Sequence, residues 1–142
     1  MTHTELMREF WRTWAEHGGE AVLARYDEFF TEDAEWSPPV RELTGSRYVG
    51  RIGLELYAYD VNQVLGDLSG DLEDLVELTP EVARASVRMR ADGKVSGVPL
   101  DATMIVIARF RGGRMCLAWA SYDADASARA QEQIVRGDPV VA

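Results

Sequence analysis

Over the first thirty residues the apolar positions recur at helical spacing. Leu6, Met7, Phe10, Trp11 and Trp14 predict an amphipathic helix over about 4–16, capped by Thr4. Gly18-Gly19 interrupts it. Val22, Leu23, Tyr26, Phe29 and Phe30 then stripe a second helix, which Thr31-Glu32-Asp33 ends. A short strand, Ala34-Glu35-Trp36, stops at Ser37-Pro38-Pro39, and residues 40–49 have the polar, irregular character of a loop at a pocket rim. Leu54, Tyr57, Val61, Val64 and Leu65 mark one side of a third helix over about 52–65.

From there the pattern changes to alternation. Gly66-Asp67 and Ser69-Gly70-Asp71 predict a turn region, residues 72–78 a short strand, and Thr79-Pro80-Glu81 a turn. Residues 82–91 alternate, with Val87 and Met89 on one face and Arg88 and Arg90 on the other. Asp92-Gly93 signals a hairpin. Gly97 and Pro99 suit a bend or bulge within 95–99. Two long strands close the sheet, 98–110 (regular from Met104) and 115–123, joined at Arg111-Gly112-Gly113-Arg114. Asp123 or Asp125 caps a last helix to about Val135, and Arg136-Gly137-Asp138-Pro139 begins a tail, 136–142, expected to fray.

Helices first and strands afterwards give an α+β chain. The expected architecture is a cone: a curved antiparallel sheet wrapped around the N-terminal helices, with one apolar pocket. The pattern holds a single domain over 1–142, with a core over about 5–133 and no repeat or low-complexity tract. The last two strands carry an anomaly. Ile105, Ile107, Leu117 and Trp119 are apolar, and so are Met104, Val106, Ala108 and Ala118 on the opposite face. A sheet with one wet face alternates apolar and polar. Both faces here want cover, and the outer one is expected to be covered by a second copy in a symmetric homodimer.

Composition narrows the function. The 142 residues carry a net charge of −9, which argues against nucleic acid as a partner, because phosphate binding needs a clustered basic face. Apolar residues make up 46%, with four Trp, five Tyr and four Phe, enough aromatics for a core and a pocket wall. Cys116 is the one cysteine, and the two histidines, His3 and His17, both lie in the N-terminal helical region. That set is too sparse for a zinc site, and Cys116 reads as core filler. No metal or cofactor is expected. No stretch is long enough to span a bilayer, the N-terminus lacks a leader pattern, and a cytoplasmic location is expected.

The order and punctuation of these elements have a match in a known group. The aromatic stripe Tyr26, Phe29, Phe30 leads to Glu35-Trp36. Tyr48-Val49-Gly50-Arg51-Ile52-Gly53-Leu54 then opens the third helix. Gly93-Lys94-Val95-Ser96-Gly97-Val98-Pro99 follows, and Phe110-Arg111-Gly112-Gly113-Arg114-Met115 runs on to Tyr122-Asp123. On these motifs the chain resembles the SnoaL-like branch of the nuclear transport factor 2-like superfamily, over about 5–133. The resemblance implies a cone with a small-molecule pocket. It does not imply one reaction, because the superfamily holds isomerases, cyclases, epoxide hydrolases, dehydratases and non-catalytic binders.

Two sets of family catalytic positions are vacant. Ketosteroid isomerases use a Tyr on the first helix, an Asp before a Pro after the first strand and an Asp in a long strand. Ungapped counting places Trp11, Ser37 and Val106 there. Epoxide hydrolases of the limonene type use an Asp in the last strand, where Ala120 stands. Neither mechanism keeps the acid and base it needs.

Other residues remain as candidates. Asp60 and Tyr122 are the candidate acid/base and hydrogen-bonding pair. Asp60 lies three residues from Tyr57 on one helix face. It works as an acid or base if buried, and is an ordinary surface carboxylate if solvated. Tyr122 either offers a hydroxyl to the pocket or bonds a backbone group in the core. Trp11, Trp14, Tyr26, Trp36, Tyr57, Met104, Val106, Ala118 and Ala120 are the expected ligand-binding wall, with the alanines leaving floor space. Arg88 and Arg90 would bind an anion if they faced inward. Val87 and Met89 suit the core better, so the arginines, like Asp101, are expected outside. Two functions fit: a pocket protein for a hydrophobic, ring-bearing metabolite, with cofactor-free isomerase, cyclase or dehydratase chemistry, or a non-catalytic binding or interaction domain.

Overall fold

The computed structural model describes residues 1–41, 47–93 and 97–140, the side chains of 64 and 67 excepted. Half of the expected rim loop (42–46), the segment 94–96 and the last two residues of the tail lie outside the described residues.

Helix α1 spans His3–His17. Its cap is Thr2 rather than Thr4. The Thr2 hydroxyl accepts from the Glu5 amide at 3.1 Å, and the Glu5 carboxylate accepts from the Thr2 amide at 3.3 Å, a reciprocal capping box. The expected second helix is two short ones, α2 (Gly19–Ala24) and α3 (Tyr26–Phe29), broken at Arg25. Strand β1 then begins at Phe30 and runs to Ser37, so Thr31-Glu32-Asp33 is extended chain and not a helix end. Phe30 and Ala34 on this segment are buried in the core, and that packing overrides the helical stripe. Strand β2 (Tyr48–Val49) leads into α4 (Gly50–Val64).

Strands β3 (Leu65–Thr79), β4 (Val82–Gly93), β5 (Leu100–Arg111) and β6 (Arg114–Ser121) complete a six-stranded sheet in the order β2-β1-β6-β5-β4-β3. It is antiparallel except where β1 runs parallel to β6. Two expected turns are strand instead. Asp92 and Gly93 pair with Gly66 and Leu65, and Ser69-Gly70-Asp71 pairs with Arg90, Met89 and Arg88. The glycine at 70 serves close packing: a Cβ there would come within 2.9 Å of Met89 Sδ and 3.3 Å of Trp11 Cζ3. The hairpin at Gly112-Gly113 forms as the sequence predicts, with φ of 60° and 79° at its two central residues.

One core fills the concave side of the sheet. Leu6, Met7, Trp11, Val22, Tyr26 and Phe29 of the helices meet Ala85, Val87, Met89, Met104, Val106, Ala108 and Ala118 of the strands. The alternation in β5 is therefore as expected. In β6 the register with β5 shifts between Arg109 and Phe110, so Cys116 has no partner and forms a bulge. That places Met115 on the concave side, although simple alternation would put it with Leu117 and Trp119.

The convex side corrects the expectation about cover. Helix α5 (Ala124–Arg136), capped by Asp123, folds back onto it. Ile107 and Trp119 are buried against Ala130 and Ile134, with Ile105, Leu117 and Val140 packed partly around them. The chain supplies its own cover, so Ile107 and Trp119 are not free to form a dimer face. The tail also departs from expectation. The Asp138 amide donates to the Gln133 carbonyl at 2.9 Å and Val140 joins the convex cluster, so the segment to Val140 is folded back. On the same side of the sheet Arg88 and Arg90 stand outside as expected: Arg88 meets Asp101 at 2.7 Å and Arg90 meets Asp71 at 2.9 Å.

Candidate functional site

Between α1, α2, α4 and the concave sheet lies a cavity of about 320 Å³. Helix α1 turns Met7, Phe10, Trp11 and Trp14 toward it, a spacing that keeps all four on one side of the helix. Helix α4 does the same with Leu54, Tyr57, Ala58 and Val61. The sheet contributes Phe30 and Trp36 from β1, Leu68, Val106, Met115 and Ala118. Val22, Leu23 and Glu20 of α2 close one side. Bulky rings hold the wall open. Trp11 stacks on Trp14 at 5.2 Å, and Phe10 meets Trp11 edge-on at 5.0 Å.

Six of the nine expected wall residues line this space: Trp11, Trp14, Trp36, Tyr57, Val106 and Ala118. Three do not. Tyr26 is a core residue whose hydroxyl donates to the Thr31 carbonyl at 2.8 Å, and Met104 and Ala120 are packed into the sheet without reaching the cavity. The residues missed (Met7, Phe10, Leu54, Val61 and Met115 among them) share the helical stripes already visible in the sequence. Only Met115 depended on the bulge.

The two candidate catalytic residues stand elsewhere. Asp60 is exposed on α4 and accepts a hydrogen bond from the Tyr48 hydroxyl at 2.9 Å. It lies three residues from Tyr57, yet the twist of the helix turns it to the outside. Tyr122 is 40% exposed, just past the end of β6, and is not among the cavity's lining residues. Burial raises its hydroxyl above the ordinary tyrosine range. Ser37, counted into the isomerase base position, pairs with Trp119 and faces the convex side; its neighbour Trp36 is the residue that faces the cavity.

The polar atoms in the cavity are few. Glu20 is the one carboxylate among the described lining residues, and it is exposed. The Trp11 and Trp36 indole nitrogens are buried without a hydrogen-bond partner. A buried donor left unpaired costs about 1–3 kcal/mol. Burial pushes the Tyr57 hydroxyl well above the ordinary range; the nearby Tyr122 adds to this and the Trp36 indole opposes it weakly. Tyr57 therefore keeps its proton at neutral pH and does not serve as a base there.

A larger depression of about 680 Å³ lies on the convex side. Its wall is charged and largely engaged: Arg111 bonds Asp33 at 2.5 Å, and Arg109 donates to the Ile134 carbonyl at 2.8 Å. The Arg41 guanidinium lies 3.9 Å over the Trp119 ring and donates to the Pro38 carbonyl at 2.9 Å. The charged groups of the depression are held in these structural contacts. The apolar cavity under the helices is the better candidate. Among the described residues no group of three or more His, Cys, Asp or Glu could hold a metal ion, and no helix is long and apolar enough to cross a membrane.

No family model and no curated protein matches the chain. Solved structures do. One is a protein with a ketosteroid isomerase-like fold from Catenulispora acidiphila, in complex with trimethylamine: TM-score 0.68, 13% identity, covering 98% of this chain and 96% of that one. A second is a Mycobacterium tuberculosis protein in complex with estradiol-17beta-hemisuccinate: TM-score 0.66, 15% identity, covering 88% and 97%. A third is IdmH of Streptomyces antibioticus, described as a candidate polyketide cyclase: TM-score 0.66, 17% identity, covering 93% and 99%. At these identities the likeness speaks to architecture, and it covers nearly the whole of each chain. Together with the curled sheet around N-terminal helices, it shows that this chain has the nuclear transport factor 2-like cone fold.

Proposed function

We propose that the chain is a pocket protein of the SnoaL-like type that binds a hydrophobic, ring-bearing small molecule, and that it does so without catalysing a reaction. The observation that carries this is the composition of the cavity wall: mostly aromatic and aliphatic side chains around about 320 Å³, with its polar members Glu20 and Asn62 exposed. That volume lies at the small end of the range for small-molecule sites. Proton transfer next to a carbonyl needs a carboxylate or histidine that can reach the reacting carbon. The described lining offers none inside.

A second reading keeps enzyme chemistry, and the polyketide-cyclase names of several structural neighbours favour it. On that reading the chain is a cofactor-free isomerase, cyclase or dehydratase, and Asp60 with Tyr122 supplies the acid/base pair. Native mass spectrometry of the purified chain with a panel of polycyclic ketones and phenols separates the two. A one-to-one adduct of unchanged mass supports binding. Conversion that Asp60→Asn abolishes supports the second reading, and the lack of any adduct contradicts both.

The same reading locates the protein in the cytoplasm. It leaves Ile105 and Leu117, which α5 covers only in part, as the outer-face positions where a second copy could dock. A monomer by light scattering at micromolar concentration would remove the homodimer.

A further inference from the structure

The cavity has a direction. Its buried lining residues, Met7, Trp11, Val106 and Met115 among them, are apolar, and its exposed ones are Gly19, Glu20 and Asn62. The exposed members mark the mouth, between the start of α2 and the last turn of α4. A ligand that fills this space turns its apolar body inward and keeps a charged group at the mouth, because burying a charge without a partner is costly. The charge on the lining is of one sign. No Lys, Arg or His is among the described lining residues. The cations nearest to Glu20 in the sequence are engaged elsewhere: Arg12 with Glu9 and Glu16, Arg25 with Glu9 and Glu28, and His17 at 3.8 Å from Glu16. Arg51 of α4 donates to the Leu23 carbonyl at 2.9 Å. The Glu20 carboxylate differs from those of Glu9, Glu16 and Glu28, because among the described residues it has no ion pair.

Resting on the binding function proposed above, we infer that the cavity selects an amphiphilic amine: an apolar ring body that fills the buried part, and a protonated amine that stays at the mouth beside the Glu20 carboxylate. A ligand carboxylate there meets like charge, with no cation among the described lining residues to offset it. A neutral head group gains nothing from Glu20. An ion pair in contact with water is weak, whereas burial of a ring body is worth several times more. The apolar wall therefore sets the affinity, and Glu20 sets the choice of head group.

The test varies the head group on one ring body. 1-Naphthylmethylamine, 1-naphthalenemethanol and 1-naphthoate share a bicyclic skeleton and carry a cation, a neutral group and an anion. Each is titrated at low salt against N-phenyl-1-naphthylamine bound to the full chain, and displacement is read by fluorescence. The wild type is expected to bind the amine about threefold to fivefold more tightly than the alcohol, the size of an exposed ion pair, and the naphthoate least well. High salt shrinks that spread. Glu20→Gln brings the amine level with the alcohol and leaves the alcohol unchanged, and Glu20→Lys reverses the order of amine and naphthoate. The net charge of −9 attracts any cation from a distance, so Glu55→Gln, an exposed change on α4 outside the lining, serves as the control and must keep the preference. Equal affinities for amine and alcohol in the wild type overturn the inference while the pocket survives. So does a preference that persists in Glu20→Gln, or one that falls as far in Glu55→Gln. If none of the three displaces the dye, the binding function itself fails.

Discussion

The two faces of the sheet carry similar apolar residues and end in different states. On the convex face Ile107 is sealed under α5, whose contacting residues, Ala126, Ala130 and Ile134, are mostly small, and Trp119 packs beside it at the edge of the charged depression. On the concave face Val106 and Ala118 are covered by helices that contribute Phe10, Trp11, Trp14 and Tyr57, and a cavity of about 320 Å³ remains. Small residues let a helix approach until the gap closes, whereas stacked rings keep their helices apart. The strand sequence alone does not separate a sealed face from a receptive one. The side chains of the covering helix do.

The largest expected effect breaks the sealed face. Ile107→Ala removes a fully buried side chain from a tight contact and is expected to cost about 2–5 kcal/mol in urea unfolding. Val106→Ala, one residue away on the receptive face, is expected to cost less, because some of the deleted atoms already face open space. Equal costs would mean that the cavity is not the looser side.

Gly70→Ala comes next. Its Cβ would press on Met89, Val87 and Trp11 within 3.3 Å, so an overpacking cost of about 1–3 kcal/mol is expected. Because Trp11 must give way, ligand affinity falls too. A neutral effect on both would show that α1 can shift without consequence.

Ala118→Leu fills the cavity floor. Stability is expected to change by less than about 1.5 kcal/mol, because the added atoms enter existing space, while uptake of ring compounds is lost. Unchanged affinity would place the ligand elsewhere.

The smallest effect concerns the link between α1 and α2. Arg12 and Arg25 hold the Glu9 carboxyl down to about 2, from an ordinary 4.5, and Arg25 Nη1 lies 2.8 Å from Glu9 Oε1. A carboxyl lowered in the folded state stabilises it at full strength above about 4.5, and that contribution is lost as the pH falls through about 2. Arg25→Ala should therefore lower the unfolding midpoint slightly at neutral pH, less so in high salt, with the difference closing toward pH 2. A difference that persists in acid would assign the effect to packing over Phe29, where Arg25 also lies at 4.8 Å.

Much of this contrast is legible in the sequence. The alternation in β5 assigns Val106 and Ile107 to opposite faces, the helical stripes of α1 and α4 locate most of the wall, and Gly112-Gly113 marks its hairpin. Other features depend on contacts distant in sequence. Gly70 reads as a turn because nothing local shows that Met89 and Trp11 crowd it. Met115 reads as convex until the bulge at Cys116 turns it inward. Asp60 follows Tyr57 by three residues, but the helix rotation leaves it with Tyr48 outside the cavity. The cover on the convex face was the largest omission, because α5 reads as an ordinary polar helix until its short apolar stripe is set against Ile107 and Trp119.

The most direct test of the receptive face is titration of the wild type and of Ala118→Trp with N-phenyl-1-naphthylamine, with circular dichroism on both. The account predicts saturable one-to-one enhancement in the wild type and none in Ala118→Trp, with the two spectra alike. Saturation of the variant with wild-type affinity, or no saturation of the wild type, would contradict it.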